Sequence, residues 1–482
     1  MSMETYPVRY NRGPAWSAHQ VTPRLTLSQP SESAYRSPFS ILLRQWNSLL
    51  VLSWPDSHPI ASPATAMSES PSNSLPIEVI EIILSHLYQD YATTDSDPIN
   101  SADLCYPSSV SKLHLLNLRR VNQVWDVEVT AYMFRELDLR LPIMAAKLIN
   151  CMNMGLVTHG LSWLRRLSIS PVFYSDGSQF SVHHHGQQVT PSTYPDAGWV
   201  IPMAQVQQIL AMSRHRITEL KLRFVGSVGF TEGMIECMKN LTGLKVLILC
   251  GSPSRRVPND SISITAVLNV LPLLESLSIQ FASLHSLPVA PGSLPNLKHL
   301  YFAADQLNIH ALVNFCMSEG KGIRVLEYCP PENADEAAAV VATLSQSLEA
   351  LSIDWIPAHL PYDIISYSFP RLRILRCTVA KIVLSSVAWL HFPLFQNVEI
   401  LITDYANSKQ HWGVILTGLS NNAPEAKVAL KDIIFITPKG PEIPNHELVQ
   451  ACIAQGIRCH FRGEMNYVDI MASTDWVQDR SV

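Results

Sequence analysis

One phrase recurs through most of this chain of 482 residues, and it leaves little choice of architecture. Its pattern is apolar-x-x-apolar-x-x-apolar-x-apolar. Full copies run from Leu161 to Ile169, Leu241 to Leu249, Leu271 to Ile279 and Leu294 to Phe302. Shorter versions centre on Leu137, Leu220, Leu326, Leu351, Leu375 and Leu401, with a weaker one near Ile433. From Leu220 to Leu401 the centres step by 27, 30, 23, 26, 25, 24 and 26 residues. The last two apolar positions alternate, as in a strand with one buried face. Helix-like segments (203–214, 264–271, 306–317 and 334–344) lie between the phrases. A unit of one short strand and one helix cannot bury its apolar face alone, so neighbours must stack. The expected fold class is therefore α/β, a solenoid with a curved parallel sheet inside and helices outside.

A period in this range carrying this phrase resembles the leucine-rich repeat. Many such repeats place an asparagine or cysteine five residues after the central leucine. Here those positions hold Val172, Val225, Ser252, Ala282, Asp305, Pro331, Ile356, Ala380 and Ala406, so no asparagine ladder is expected. The gap from Leu167 to Leu220 spans about two periods. It contains a Gly-, His-, Ser- and Pro-rich stretch, residues 171–198, that reads as a surface insertion.

A different pattern precedes the repeats. Pro76 suits the first position of a helix, and Glu78 faces the positive end of its dipole. Ile80, Ile83, Leu84 and Leu87 then form an apolar stripe, which Val79 and Ile82 widen until only Glu78, Glu81 and Ser85 remain polar. So broad an apolar surface on a short helix needs cover on more than one side, from the rest of the chain or from a partner. After a polar loop at 88–111 with Asp90, Asp95, Asp97 and Asp103, a second helical pattern runs through Leu118, Val121, Trp125 and Val129. The segments Leu75–Leu87 and Leu116–Trp125 together resemble the two halves of an F-box, with its leucine-proline start and its valine four residues before a tryptophan. The long intervening loop departs from the usual tighter form. The missing asparagines fit the irregular repeats found behind F-boxes.

Composition excludes several classes. Hydrophobic residues make up 47% and charged residues 16%, which is ample for a large core. The formal charge of −5 comes without long basic runs, so neither nucleic acid nor an anionic membrane is an expected partner. No stretch of 18 apolar residues exists, so no membrane-spanning helix is expected. Nine cysteines without a Cys-x-x-Cys pair read as reduced thiols and point to cytoplasm or nucleus. His183-His184-His185 lacks further ligands at fixed positions, so no metal is expected. No nucleophile elbow, phosphate-binding loop or dinucleotide fingerprint occurs, and neither catalytic residues nor a cofactor are expected. Residues 1–74, with 15 Ser and 9 Pro, read as a disordered arm. Its first 66 residues, rich in Arg and Ser and poor in acids, also suit a transit peptide, or an extension upstream of a start at Met67.

The resemblance implies a substrate receptor of a Skp–cullin–F-box ubiquitin ligase, similar to families abundant in mushroom-forming fungi. Residues 75–135 would form the F-box-like domain, 136–465 the repeats and 466–482 a tail. A Skp-type adaptor, linking to cullin and RING subunits, would contact Leu75, Pro76, Val79, Ile80, Ile83, Leu84, Leu87, Leu118, Val121 and Trp125. A protein target would meet side chains that strand alternation turns away from the core, with Arg223, Gln280, Tyr301, Asp354, Arg376 and Asp404 as candidates. Tyr and Arg are enriched among such hot spots. The alternative is a repeat scaffold outside the ligase machinery whose N-terminal helices only cap the solenoid.

Overall fold

The structure, a computed structural model, describes residues 75–90, 100–103, 106, 109–154, 163–173, 182–184, 187–189, 200–213, 216–225, 228–251, 261–281, 284, 286–303, 308–329, 337–353, 366–377, 392–405, 429–437, 445–463 and 465–478. All belong to one compact unit, residues 56–482; the expected arm at 1–74 and Asp354 lie outside the described residues.

Three helices open the unit: α1 (Ile77–Asp90), α2 (Ser109–Leu118) and α3 (Gln123–Arg135). Helix α3 passes directly into β1 (Glu136–Leu139), which is followed by α4 (Pro142–Asn153) and β2 (Arg166–Phe173). The 171–198 stretch contributes the end of β2 and an antiparallel hairpin of β3 (Val182–His184) and β4 (Gln187–Val189). Next come β5 (Ile201–Pro202), α5 (Met203–Ser213), β6 (Glu219–Val225), α6 (Glu232–Lys239), β7 (Val246–Gly251), α7 (Ser261–Leu268) and β8 (Ser276–Gln280). Then follow β9 (His299–Ala303), α8 (Ile309–Glu319), β10 (Val325–Cys329), α9 (Ala337–Thr343), β11 (Ala350–Ile353), β12 (Ile374–Cys377) and β13 (Ile400–Asp404). The chain closes with β14 (Asp432–Ile436), α10 (His446–Ala454), β15 (Arg458–Arg462) and α11 (Tyr467–Gln478).

Among the described residues, every strand except the β3–β4 pair joins one open, all-parallel sheet of 13 strands, as the stacking argument requires. Its register aligns the sequence centres: Leu137, Leu167, Leu220, Leu247, Leu277, Leu300, Leu326, Leu351, Leu375, Leu401 and Ile433 are consecutive partners, and Cys459 adds one more. The weak phrase at Ile433 is thus a full member. The gap from Leu167 to Leu220 is one step of the sheet, not two, because β2 pairs with β6 directly and the short β5 lies off the path. The central leucines are buried, and Phe224, Phe302, Phe315 and Phe435 complete the core.

Two devices bind repeat to repeat. Backbone amides at the strand starts climb from one unit to the previous one, as in Lys245 N to Thr218 O at 2.8 Å, Glu275 N to Lys245 O at 2.8 Å and Lys298 N to Glu275 O at 2.9 Å. The same residues carry alternating charge: Glu275 bridges Lys245 and Lys298, Arg324 meets Glu349, and Glu399 bridges Arg373 and Lys431. Exposed bridges of this kind are each worth only about 0–1 kcal/mol. One asparagine stands in for the absent ladder. Asn308, eight residues after Leu300 and fully buried, donates to the carbonyls of Phe281 at 2.7 Å and Ala303 at 3.0 Å.

Candidate functional site

Two surfaces are candidates, and the first lies on the three N-terminal helices. Helix α1 packs on α2 and α3 through Ile80 and Leu84, both fully buried. Trp125 is buried as well, while Ile83, Leu87 and Leu118 are half-buried. Leu75, Pro76, Val79 and Val121 are exposed, and so is Ile82, which is 57% accessible. Val79 and Ile82 lie three residues apart on one face of α1, and Leu75 precedes the helix. The expected adaptor set is therefore divided: Ile80, Leu84 and Trp125 hold the helices together, and the outward apolar surface consists of Val79 and Ile82 on α1 with the exposed Leu75 just before it. The second helical pattern is broken in the middle. Asn122 has an extended backbone (φ −168°, ψ 178°) and its side chain accepts from Trp125 N at 3.1 Å, so it starts a new helix. Val121 thereby falls in the turn before α3, with 59% of its surface open.

The second surface is the sheet face opposite the repeat helices. Strand alternation turns Lys221, Ile248, Ser278, Tyr301, Glu327, Arg376 and Ile402 toward it, the face expected to meet a target. Of the expected contacts, Arg223 and Gln280 are exposed, while Tyr301, Arg376 and Asp404 are half-buried. Much of the rest is covered by the chain itself. Residues Asn100–Asp103 make a turn: Asp103 N donates to Asn100 O at 3.1 Å, and Ala102 N donates to the Asn100 side-chain oxygen at 2.8 Å. The turn spans four strands. Asp103 pairs with Lys221 at 2.6 Å, Asn100 Nδ2 donates to Ser278 Oγ at 3.0 Å, and Ala102 packs on Val246 and Ile248. Ser101 donates to the Glu327 carboxylate from its amide, 3.2 Å from each oxygen, and from its hydroxyl.

Beside this turn, the Tyr106 ring lies 4.7 Å from the Arg166 guanidinium, and its burial raises the Tyr106 pKa well above the ordinary phenol value. Arg166 is itself clamped between Glu136 and Glu219, 2.6 Å from each. The segment expected as a tail is the helix α11, and it too folds onto this face. Met465 and Ile470 join Ile402, Ile434 and Ile436 in one buried cluster. Tyr467 stacks on His299 with ring centres 5.0 Å apart, and its amide donates to Ser101 O at 3.2 Å. A cavity of about 480 Å³ remains between the turn, the starts of β6 to β8 and the first turn of α11. The Glu275 carboxyl at its edge is held below its usual range by a hydrogen bond from Lys245.

Ser276, His299 and Glu327 form a chain that has the spacing of a nucleophile, a base and an orienting acid. Ser276 Oγ is 2.7 Å from His299 Nδ1, and His299 Nε2 is 3.1 Å from Glu327. Ser276 and His299 are fully buried, however, and Tyr467 covers the imidazole, so a substrate carbonyl has no approach to the hydroxyl. In this arrangement the set ties three strands and two covering segments together. Burial by itself would raise the Glu327 carboxyl, but His299, Arg376 and the Ser101 hydroxyl hold it down to about 2. An unfolded glutamate titrates near about 4.3, so this contribution to stability is complete above that pH. It is lost as the pH falls toward about 2. Chemical unfolding at stepped acid pH should therefore show a steeper loss for the wild type than for Glu327→Gln. Parallel curves would remove Glu327 from this role.

No family model matches this sequence, and no curated protein matches it either. Among the described residues, no group of three or more His, Cys, Asp or Glu side chains is placed to hold a metal ion, and no helix is long and apolar enough to cross a membrane.

Proposed function

We propose that this chain is the substrate receptor of a Skp–cullin–F-box type ubiquitin ligase, docking a Skp-type adaptor with its N-terminal helices and a protein target with its repeats. The supporting observation is the division of α1. The helix has enough apolar surface for two interfaces, and among the described residues its buried side is that of Ile80 and Leu84, with Val79 and Ile82 exposed. An apolar stripe left outside on a short helix marks a protein contact. The receptor's part in catalysis is proximity: tethering a target raises the effective concentration of its lysines beside a charged ubiquitin-conjugating enzyme. No bond is made or broken by this chain.

A second reading has its own observation. Helix α3 ends at Arg135 and β1 begins at Glu136, a join without a linker, as in a helical cap on the first repeat. One experiment separates the two. The full chain and the double variant Val79→Asp/Ile82→Asp are used to capture a purified Skp-type adaptor. Because both side chains are exposed, the variant should keep its circular dichroism and melting temperature. Burying two unpaired carboxylates in an apolar contact should weaken capture more than 100-fold. If the wild type captures no adaptor, the capping reading stands. If the variant captures it undiminished, α1 is not the docking surface.

A further inference from the structure

Four strands contribute side chains to the Asn100–Asp103 turn, and what they recognise is specific. Lys221 of β6 binds a carboxylate, and Ser278 of β8 accepts from a side-chain amide. Glu327 of β10 takes two donors from one serine. Val246 and Ile248 of β7 pack against a methyl group, the buried side chain of Ala102. Asp103 is equally buried, so its carboxylate is read without water. Ala102 is the one apolar side chain that the turn buries against this face, in a small cluster with Val246 and Ile248 that is separate from the larger one under Met465 and Ile470. The turn is therefore held much as a ligand is held, chiefly through side-chain hydrogen bonds and one ion pair, with Ala102 as its single apolar contribution. Such contacts can be exchanged one for one with those of a matching segment, at no loss of buried apolar area.

We infer that the Asn100–Asp103 turn is an internal ligand of the inner sheet face, and that the protein target bound there presents a β-turn of the same chemistry: amide, hydroxyl, small residue, carboxylate. This rests on the reading of the repeats as a target-binding surface. The internal copy competes at an effective concentration on the order of millimolar, as a short tether dictates. A free target turn must therefore displace it, and a chain that cannot seat its own turn binds the target turn more tightly.

The test uses a labelled cyclic peptide with the sequence of residues 98–104, Pro-Ile-Asn-Ser-Ala-Asp-Leu, titrated against the full chain and its Asp103→Lys variant. The variant places a lysine beside Lys221 and ejects the turn. Peptide affinity should rise at least tenfold over wild type, and replacing the peptide's aspartate by lysine should abolish the gain. Equal affinity for both chains overturns the inference. Hydrogen exchange of the wild-type chain decides the matter even if the variant fails to fold. The amides of residues 100–103 should exchange at least 100-fold faster than those of β9 and β10; exchange only together with those strands makes the turn integral to the fold and overturns the inference. Adaptor capture by Asp103→Lys keeps the two readings apart. Capture without peptide binding refutes the internal ligand alone, and peptide binding by a chain that captures no adaptor refutes the ligase reading alone.

Discussion

Replacing Arg166 with Met is expected to lower the unfolding free energy by about 3–5 kcal/mol, the usual cost of removing one partner from a buried ionic set. The arginine side chain is 9% accessible and lies between Glu136 and Glu219, strand neighbours on either side of it. Methionine has similar length, so packing is nearly kept, and two carboxylates are left facing each other across a cation-free gap. Burial already raises the Glu219 carboxyl above its usual range, against the pull of Arg166. Without the arginine it rises further. A carboxyl raised in the folded state binds protons that the unfolded chain has released, so stability falls as pH increases through that window. The deficit of Arg166→Met should therefore shrink as the pH is lowered from neutral toward about 5. Adding Glu136→Gln and Glu219→Gln should recover most of the loss. Urea unfolding of the wild type, the single variant and the triple variant at both pH values measures this; a single variant within about 0.5 kcal/mol of wild type would show that water reaches the site.

Leu84→Asp is expected to melt the three N-terminal helices, whereas Ile82→Asp, two residues away, should leave them intact. Leu84 is fully buried where α1 meets α2 and α3, and an unpaired carboxylate there costs several kcal/mol. Ile82 points outward, where substitutions usually stay within about 0.5 kcal/mol. Circular dichroism and limited proteolysis of both variants give the comparison. Retained helicity in Leu84→Asp would contradict the buried face of α1. The contrast also bears on function. Under the proposed reading, a charge at Leu84 would abolish adaptor capture by unfolding the three helices, so the outward positions Val79 and Ile82 are the ones that test docking itself.

The repeats were legible because their physics is local and periodic. Alternation fixes which side of each strand faces the core, and stacking forces each central leucine beside the next, so the centres from Leu220 to Leu401 are legible as one column; the direct pairing of Leu167 with Leu220 and the place of Ile433 came from the structure. The boundaries of α5 and α8 followed within a few residues for the same reason. The division of α1 was not legible. Its sequence shows an apolar surface too wide for one interface, but which part is covered depends on the crossing of α2 and α3, set by the Asn122 cap that interrupts the second pattern. The covered inner face was less legible still. The asparagine and aspartate at the ends of Asn100–Asp103 mark a turn, and the Asp-rich loop was recognised as polar. Its partners Lys221, Ser278 and Glu327, however, lie 118, 178 and 226 residues away. A hydrogen bond or ion pair between such distant residues leaves no periodic trace, and neither does the stacking of Tyr467 on His299. The sequence by itself determined an open, parallel repeat sheet with buried central leucines, because period and alternation are properties of neighbouring residues. Only the tertiary structure decided that the inner face of that sheet carries two segments of its own chain, because that choice depends on which distant side chains satisfy one another once the sheet has formed.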